Sequence, residues 1–184
     1  MEKVVAFGAS NSSRSINRKL AQWASAQLKN AEVDLLDLND FEMPIYSIDR
    51  EQKEGIPEEA HHFKRILMES DGILISFAEY NGGFTAAFKN IQDWVSRIGR
   101  PLWSNKPMFI LATSPGPRGA QRVLSIAQST FPHQGGAIVA SFSLPSFNQN
   151  FSSGQGILDA GLKIEFTKQL KNFERAIQNS EIET

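Results

Sequence analysis

The chain contains no cysteine. That excludes disulfides, thiolate metal sites and a cysteine nucleophile, and it leaves the chain indifferent to the redox state of its compartment. Histidine is scarce, with three in 184 residues. His61 and His62 are adjacent, so on a helix they point to different sides and make a poor metal pair, and His133 follows a proline in a loop. All three read as solvated, and no Cys/His/Asp spacing marks a zinc site. Neither sign of charge is in excess: 19 Lys and Arg stand against 20 Asp and Glu. No basic block suggests nucleic acid, and no polybasic flank suggests a membrane surface. The opening apolar run, Lys3 to Gly8, is too short for a signal peptide or a membrane span. Cytoplasmic residence is the resulting expectation. No G-x-S-x-G elbow offers a serine nucleophile, and no G-x-G-x-x-G follows any apolar run. Repeats, low-complexity segments and linkers are missing too, so residues 1–184 are expected to form a single domain.

What the chain does have is a strong alternation. Hydrophobic residues make up 41% and charged residues 21%, enough for a globular domain with a sizeable core. Five short runs read as strands: Val4–Gly8, Glu32–Leu38, Gly72–Phe77, Pro107–Thr113 and Gly136–Phe142. The first is almost continuously apolar, as suits a parallel sheet covered on both faces. Between the runs the spacing turns helical. Ile16, Leu20, Ala24 and Leu28 form one stripe, and Phe84, Phe88, Ile91, Trp94 (or Val95) and Ile98 another. Pro57-Glu58-Glu59 opens a helix that runs to about Glu69, and a fourth helix follows Gly119. Leu162, Phe166, Leu170, Phe173 and Ile177 mark the last helix, over 157–177. Five strands alternating with five helices predict a three-layer α/β sandwich. Residues 39–55 and 143–156 are polar and long, and read as irregular loops. The tail from Gln178 to Thr184 is expected to fray. Asp93 and Arg97, four apart, are expected to pair on their helix.

Open α/β sheets bind ligands at the carboxyl ends of their strands. Three segments there are rich in small polar residues and glycine. After the first strand, Ser10, Ser12, Ser13 and Ser15 supply hydroxyls and Asn17 an amide, with Ile16 between the last two, and the helix start supplies backbone N–H groups. A helix start attracts a phosphate through its free donors and its dipole. The same residues also suit a helix cap and a solvated serine turn, and alone they weigh the two readings evenly. After the third strand comes Glu79-Tyr80-Asn81-Gly82-Gly83. The glycines let backbone approach a flat ligand, Tyr80 offers a ring face, and Asn81 both donates and accepts. The plain alternative is a turn without function. After the fourth strand, Ser114-Pro115-Gly116-Pro117-Arg118-Gly119 leads into a helix. Arg118 reads equally as a surface residue or as a cation for an anionic ligand.

These segments resemble the NAD(P)H-dependent FMN reductases of the flavodoxin-like fold. That family carries Pro-Glu-Tyr-Asn-Gly followed by a Lys-Asn…Asp-Trp helix, and Glu79, Tyr80, Asn81, Gly82, Lys89, Asn90, Asp93 and Trp94 match, while Ala78 replaces the proline. In the family's Gly-Ser-x-Arg-x-x-Ser-x-Asn, Ser10, Ser15 and Asn17 match, Ala9 replaces the glycine and Ser12 the arginine. Arg14 or Arg18 then stands as the nearby cation. Ser114, Pro115 and Gly116 match its Ser-Pro-Gly-Gly segment, with Pro117 in place of the second glycine. The resemblance implies a flavodoxin-like five-stranded parallel sheet of order 2-1-3-4-5. It implies bound FMN, with Ser10, Ser12, Ser15, Ile16 and Asn17 at the phosphate. Glu79, Tyr80, Asn81, Gly82, Gly83, Ser114, Pro115, Gly116 and Arg118 would lie at the ring. It further implies ping-pong use of NAD(P)H as co-substrate and of a small-molecule electron acceptor such as a flavin, quinone or azo dye. No catalytic side chain and no metal are implied. A homodimer or homotetramer is implied, with Phe84, Trp94, Trp103, Phe147 and Phe151 as interface candidates. Two other readings stay open: a flavodoxin-type FMN electron carrier, which near-neutral charge disfavours, and a flavin-free interaction module, which the lost arginine favours.

Overall fold

The computed structural model describes residues 1–179. Its strands are β1 Glu2–Ala9, β2 Ala31–Leu36, β3 Gly72–Phe77, β4 Pro107–Thr113 and β5 Ala137–Leu144. They form one parallel sheet in the order β2-β1-β3-β4-β5, with Phe7 opposite Ile75 and Ile75 opposite Ile110 at its centre. The expected order is therefore the observed one. The central runs β1, β3 and β4 are almost continuously buried, as strands covered on both faces must be, while the edge strands β2 and β5 keep exposed positions.

The helices are α1 Ile16–Ser25, α2 Ile48–Glu54, α3 Glu58–Glu69, α4 Ala86–Val95, α5 Gln121–Thr130, α6 Phe147–Asn150 and α7 Ala160–Asn179. Alternation along each strand divides the core in two. Val5, Phe7, Ile73, Ile75, Phe77 and Ile110 face α3, α4 and α5, meeting Phe63, Phe88 and Val123. Val4, Ala6, Leu74, Phe109 and Leu111 face α1 and α7, meeting Leu20, Phe166 and Phe173. Two glycines permit tight layering. A Cβ on Gly8 would stand 2.4 Å from the backbone nitrogen of Arg18, and one on Gly72 would stand 2.5 Å from Ile177.

The two segments read as irregular carry structure of their own. After β2, a 3₁₀ turn, Leu38–Phe41, and α2 fill much of 39–55. Leu38, Phe41 and Met43 are buried, so hydrophobic anchors hold a stretch whose composition is mostly polar. The Lys-Asn…Asp-Trp helix supplies the rest of the hold. Asn90 Nδ2 donates to the carbonyls of Met43 and Pro44, and its Oδ1 accepts from the N–H of Tyr46. Trp94 Nε1 donates to the Pro44 carbonyl. After β5, which runs to Leu144, come α6 and a two-stranded antiparallel ribbon, β6 Phe151–Ser152 and β7 Gly156–Ile157. Phe147 stacks on Phe151, and Trp23 packs edge-on against Phe151.

Other expectations need correction. Asp93 pairs with Lys89 at 2.6 Å, while Arg97 crosses to Glu51 at 2.9 Å, because the ordered segment after β2 brings that carboxylate within reach. Trp94 and Trp103 are 0% and 1% exposed, and Phe147 and Phe151 are buried by their own chain, so these aromatics are core and form no interface. Phe84 is half-buried against Phe77 and Phe88. Leu28 lies beyond the end of α1 and is half-buried there. Gln178 and Asn179 continue α7; the remainder of the expected frayed tail, 180–184, lies outside the described residues.

Candidate functional site

The carboxyl ends of β1, β3, β4 and β5 are tied together by buried polar side chains. Asn17 is 2% exposed. Its Nδ2 donates to the Thr113 carbonyl, and its Oδ1 accepts from the Ser76 hydroxyl and the Thr113 N–H. Thr113 Oγ1 donates to the Leu144 carbonyl. Thr85 caps α4 by accepting from the Phe88 N–H and donates to the Ala9 carbonyl. Among the described residues no buried side-chain polar atom lacks a partner. The strand ends form a rigid rim. Ser76, Thr85 and Thr113 carry no ligand signal in sequence, and only the neighbouring strands reveal their work.

The first loop builds an anion seat. Ser15 caps α1 by accepting the Arg18 N–H, which leaves the N–H groups of Ile16 and Asn17 open at the helix start. Ser12 and Arg14 are exposed beside them, and Ser10 Oγ accepts from the Ser12 N–H. The expected Asn17 amide donor is a correction. That amide ties the strand ends, so Asn17 has its backbone N–H to offer a phosphate. Arg18 is also committed elsewhere, paired with Asp37. Burial pushes the Asp37 carboxyl up, but hydrogen bonds from Asn39 and the Arg18 charge outweigh it, and the group sits below its ordinary value. Arg14 is the cation left at the seat.

The second loop is a miniature hairpin. Tyr80 and Gly83 exchange both backbone hydrogen bonds, and Asn81 and Gly82 turn between them at φ 53° and 81°. Asn-Gly is the dipeptide such a left-handed two-residue turn selects. Tyr80 is left 52% exposed beside the cleft. Glu79, expected at the ring, points its carboxylate away: Oε2 accepts the N–H groups of Arg122 and Val123 and so caps α5 from outside, where Ala120 offers no side-chain cap.

The third loop is clamped from behind. The Ser114 and Gly116 carbonyls accept from the N–H groups of Phe147 and Ser146, so the unforeseen α6 sets its position. The three loops enclose an open cleft of about 180 Å³. It is lined by residues of all three, among them Ser12, Arg14, Ile16, Tyr80 and Ser114. Of the residues expected at the site, Ser10, Ser15, Asn17, Glu79 and Pro115 also line it. Asn81, Gly82, Gly83, Gly116 and Arg118 sit on the same loops outside that lining.

Two of these loop glycines, Gly83 and Gly116, are unconstrained by the fold. Neither has a positive φ, a Cβ on Gly83 would meet nothing within 4 Å, and one on Gly116 would meet only Ser114 Oγ at 4.0 Å. The fold does not require glycine at either place, and both stand on the loops beside the cleft, outside its lining. The donor set, the exposed ring and the uncovered backbone suit a flat ligand with an anionic tail. Among the described residues no group of His, Cys, Asp or Glu could hold a metal ion.

The profile of the NADPH-dependent FMN reductases matches residues 2–149. A 2-hydroxy-1,4-benzoquinone reductase of Burkholderia sp. is 37% identical over 117 residues, which cover 62% of this chain and 60% of that protein. A quinone reductase of Escherichia coli K12 is 32% identical over 108 residues, covering 58% and 55%. The chain thus spans 55–60% of the length of these curated relatives. In fold, it superposes on the flavoenzyme NAD(P)H:(acceptor) oxidoreductase FerB of Paracoccus denitrificans with a TM-score of 0.78 at 24% identity, covering 97% of this chain and 98% of that one. With the strand order, the three loops and the matched residues in agreement, the chain belongs to the NADPH-dependent FMN reductase family.

Proposed function

We propose that this protein is an NAD(P)H-dependent FMN oxidoreductase that passes hydride equivalents to a quinone, a flavin or a similar small acceptor. One observation carries the reading: the loops after β1, β3 and β4 converge on one cleft lined by the start of α1, Arg14 and the exposed Tyr80. FMN, when bound, supplies the ring that accepts and returns hydride. The chain's own residues do the rest. The N–H groups of Ile16 and Asn17, with Ser10, Ser12, Ser15 and Arg14, hold the phosphate. The backbone of Asn81, Gly82, Gly83, Pro115 and Gly116, with Tyr80, Ser114 and Arg118, positions the ring. Glu79 acts from outside, holding α5 against the hairpin. No side-chain acid or base is assigned, because hydride transfer itself needs none and the proton that completes a hydroquinone would come from solvent in the open cleft. That two curated relatives are quinone reductases supports a quinone as acceptor. A single domain, a homodimer and a cytoplasmic setting complete the reading; among the described residues no helix is long and apolar enough to cross a membrane.

Titration of the purified protein with FMN, followed by NADPH oxidation with a benzoquinone, tests it. The expected result is stoichiometric binding of the yellow cofactor and quinone-dependent turnover. Failure to bind FMN at micromolar concentration would overturn the proposal, and binding without turnover would make the protein an electron carrier.

A further inference from the structure

We infer that Arg122, on the first turn of α5, is the residue that selects a 2′-phosphorylated nicotinamide dinucleotide over its unphosphorylated counterpart. The inference rests on the oxidoreductase reading and adds a specificity determinant to it. Arg122 lies outside every segment expected to bind, and the hairpin geometry brings it in. A Cβ at Gly82 would stand 3.6 Å from Arg122 Nη1 and 3.8 Å from its Cδ, so the side chain runs along the flank of the Tyr80–Gly83 hairpin. The guanidinium is exposed and has no ion-pair partner among the described residues. Glu79, the carboxylate that reaches this helix start, bonds the backbone N–H groups of Arg122 and Val123 and leaves the side chain alone. Arg118, four residues earlier, is exposed and likewise without an ion pair among the described residues.

The unpaired Arg122 guanidinium therefore stands beside the hairpin that carries the exposed Tyr80. Three other arginines are occupied: Arg18 by Asp37, Arg65 by Glu58 and Arg97 by Glu51. A dinucleotide whose nicotinamide end lies in the cleft must pass its adenosine end over this rim. There a planar fork meets a ribose phosphate with paired N–H donors, and the ring of Tyr80 offers a face for the adenine. Ligands without the 2′-phosphate gain nothing from the fork, so the discrimination belongs to this contact.

The test compares the FMN-reconstituted wild type with Arg122→Ala and Arg122→Lys. The ratio of kcat/KM for NADPH to that for NADH should fall by about tenfold in Arg122→Ala, through KM for NADPH, as loss of one charge-assisted contact predicts. Arg122→Lys, which keeps the charge without the fork, should fall between. Calorimetric titration with adenosine 2′,5′-bisphosphate and with AMP supplies a readout without turnover. The wild type should prefer the bisphosphate, and Arg122→Ala should lose that preference. A wild type indifferent to the 2′-phosphate, or an Arg122→Ala variant as selective as the wild type, would overturn the inference. Should the bisphosphate preference survive in a protein that binds no FMN, the flavin reading fails and the assignment of Arg122 stands.

Discussion

Gly83 and Gly116 stand on the loops of the cleft without being required as glycine by the fold. Gly82 is held at φ 81° and Gly119 at 55°, where a side chain strains the backbone, so those two are structural. Gly83 and Gly116 are under no such constraint. Valine at either position should leave thermal stability within about 0.5 kcal/mol of wild type, the range for surface changes that disturb no special feature. The same variants should weaken FMN at least tenfold, because the added methyls occupy the approach of the ring; equilibrium titration and thermal melts on the same samples read both. Asn17 behaves in the opposite way. Its side chain makes buried hydrogen bonds to β3 and β4, and Asn17→Ala leaves the Ser76 hydroxyl and both backbone groups of Thr113 unsatisfied. The cost should be about 2–4 kcal/mol in urea unfolding, from the desolvation of unpaired buried groups. FMN affinity should fall with it, since the rim loosens.

At the scale of elements, the segment between β2 and α3 and the turn before β4 are held by single polar residues. Lys64, on α3, is 7% exposed. Its Nζ donates to the carbonyls of Pro101 and Leu102 and to Ser104 Oγ at 2.6, 2.8 and 3.1 Å, with no carboxylate among these partners. Burial pushes its pKa below the ordinary 10.5. Between that lowered value and 10.5 the unfolded chain holds more protons at this position than the folded one, so stability from this group rises with pH across the window. At neutral pH the folded state bears the cost of the buried charge. Lys64→Met should abolish the alkaline rise measured by urea unfolding below pH 10.5, while leaving the Leu102 carbonyl without its donor (Pro101 keeps the Ser104 N–H) and so lowering stability at pH 7 by about 1–3 kcal/mol. None of this is legible in the chain alone. A lysine in a helix ordinarily reads as surface. Its burial follows from where the turn at 100–105 folds back, with Ser104 and Asn105 both at positive φ.

For the whole molecule, the proposed homodimer needs apolar surface that the monomer leaves exposed. The aromatics that suggested an interface are spent inside the core, and the large apolar side chains left outside include Ile45, 81% exposed, Ile48, 51%, and Tyr80, 52%. Ile45 and Ile48 lie on the segment after β2, pinned by Asn90 and Trp94, so this patch is rigid enough to dock. Sedimentation at micromolar concentration should give twice the 20.5 kDa chain mass, and a joint Ile45→Asp and Ile48→Asp change should give the monomer. A monomeric wild type would remove the dimer from the reading.

The five strands, their alternation with helices and the three polar loops at the strand ends were legible in the chain by itself, while the strand order came with the family resemblance. Apolar periodicity is a local property, and Asn-Gly or a serine before a helix constrains its own neighbourhood whatever lies beyond. The tertiary structure decided which polar groups are free. Asn17 and Glu79 look like ligand-binding side chains, yet the Asn17 amide is used on strand ends and a Glu79 carboxylate oxygen accepts from α5, whereas Arg14 and Arg122 remain open. A side chain's availability depends on partners that are dozens of residues away, and only folding brings those partners within hydrogen-bond reach.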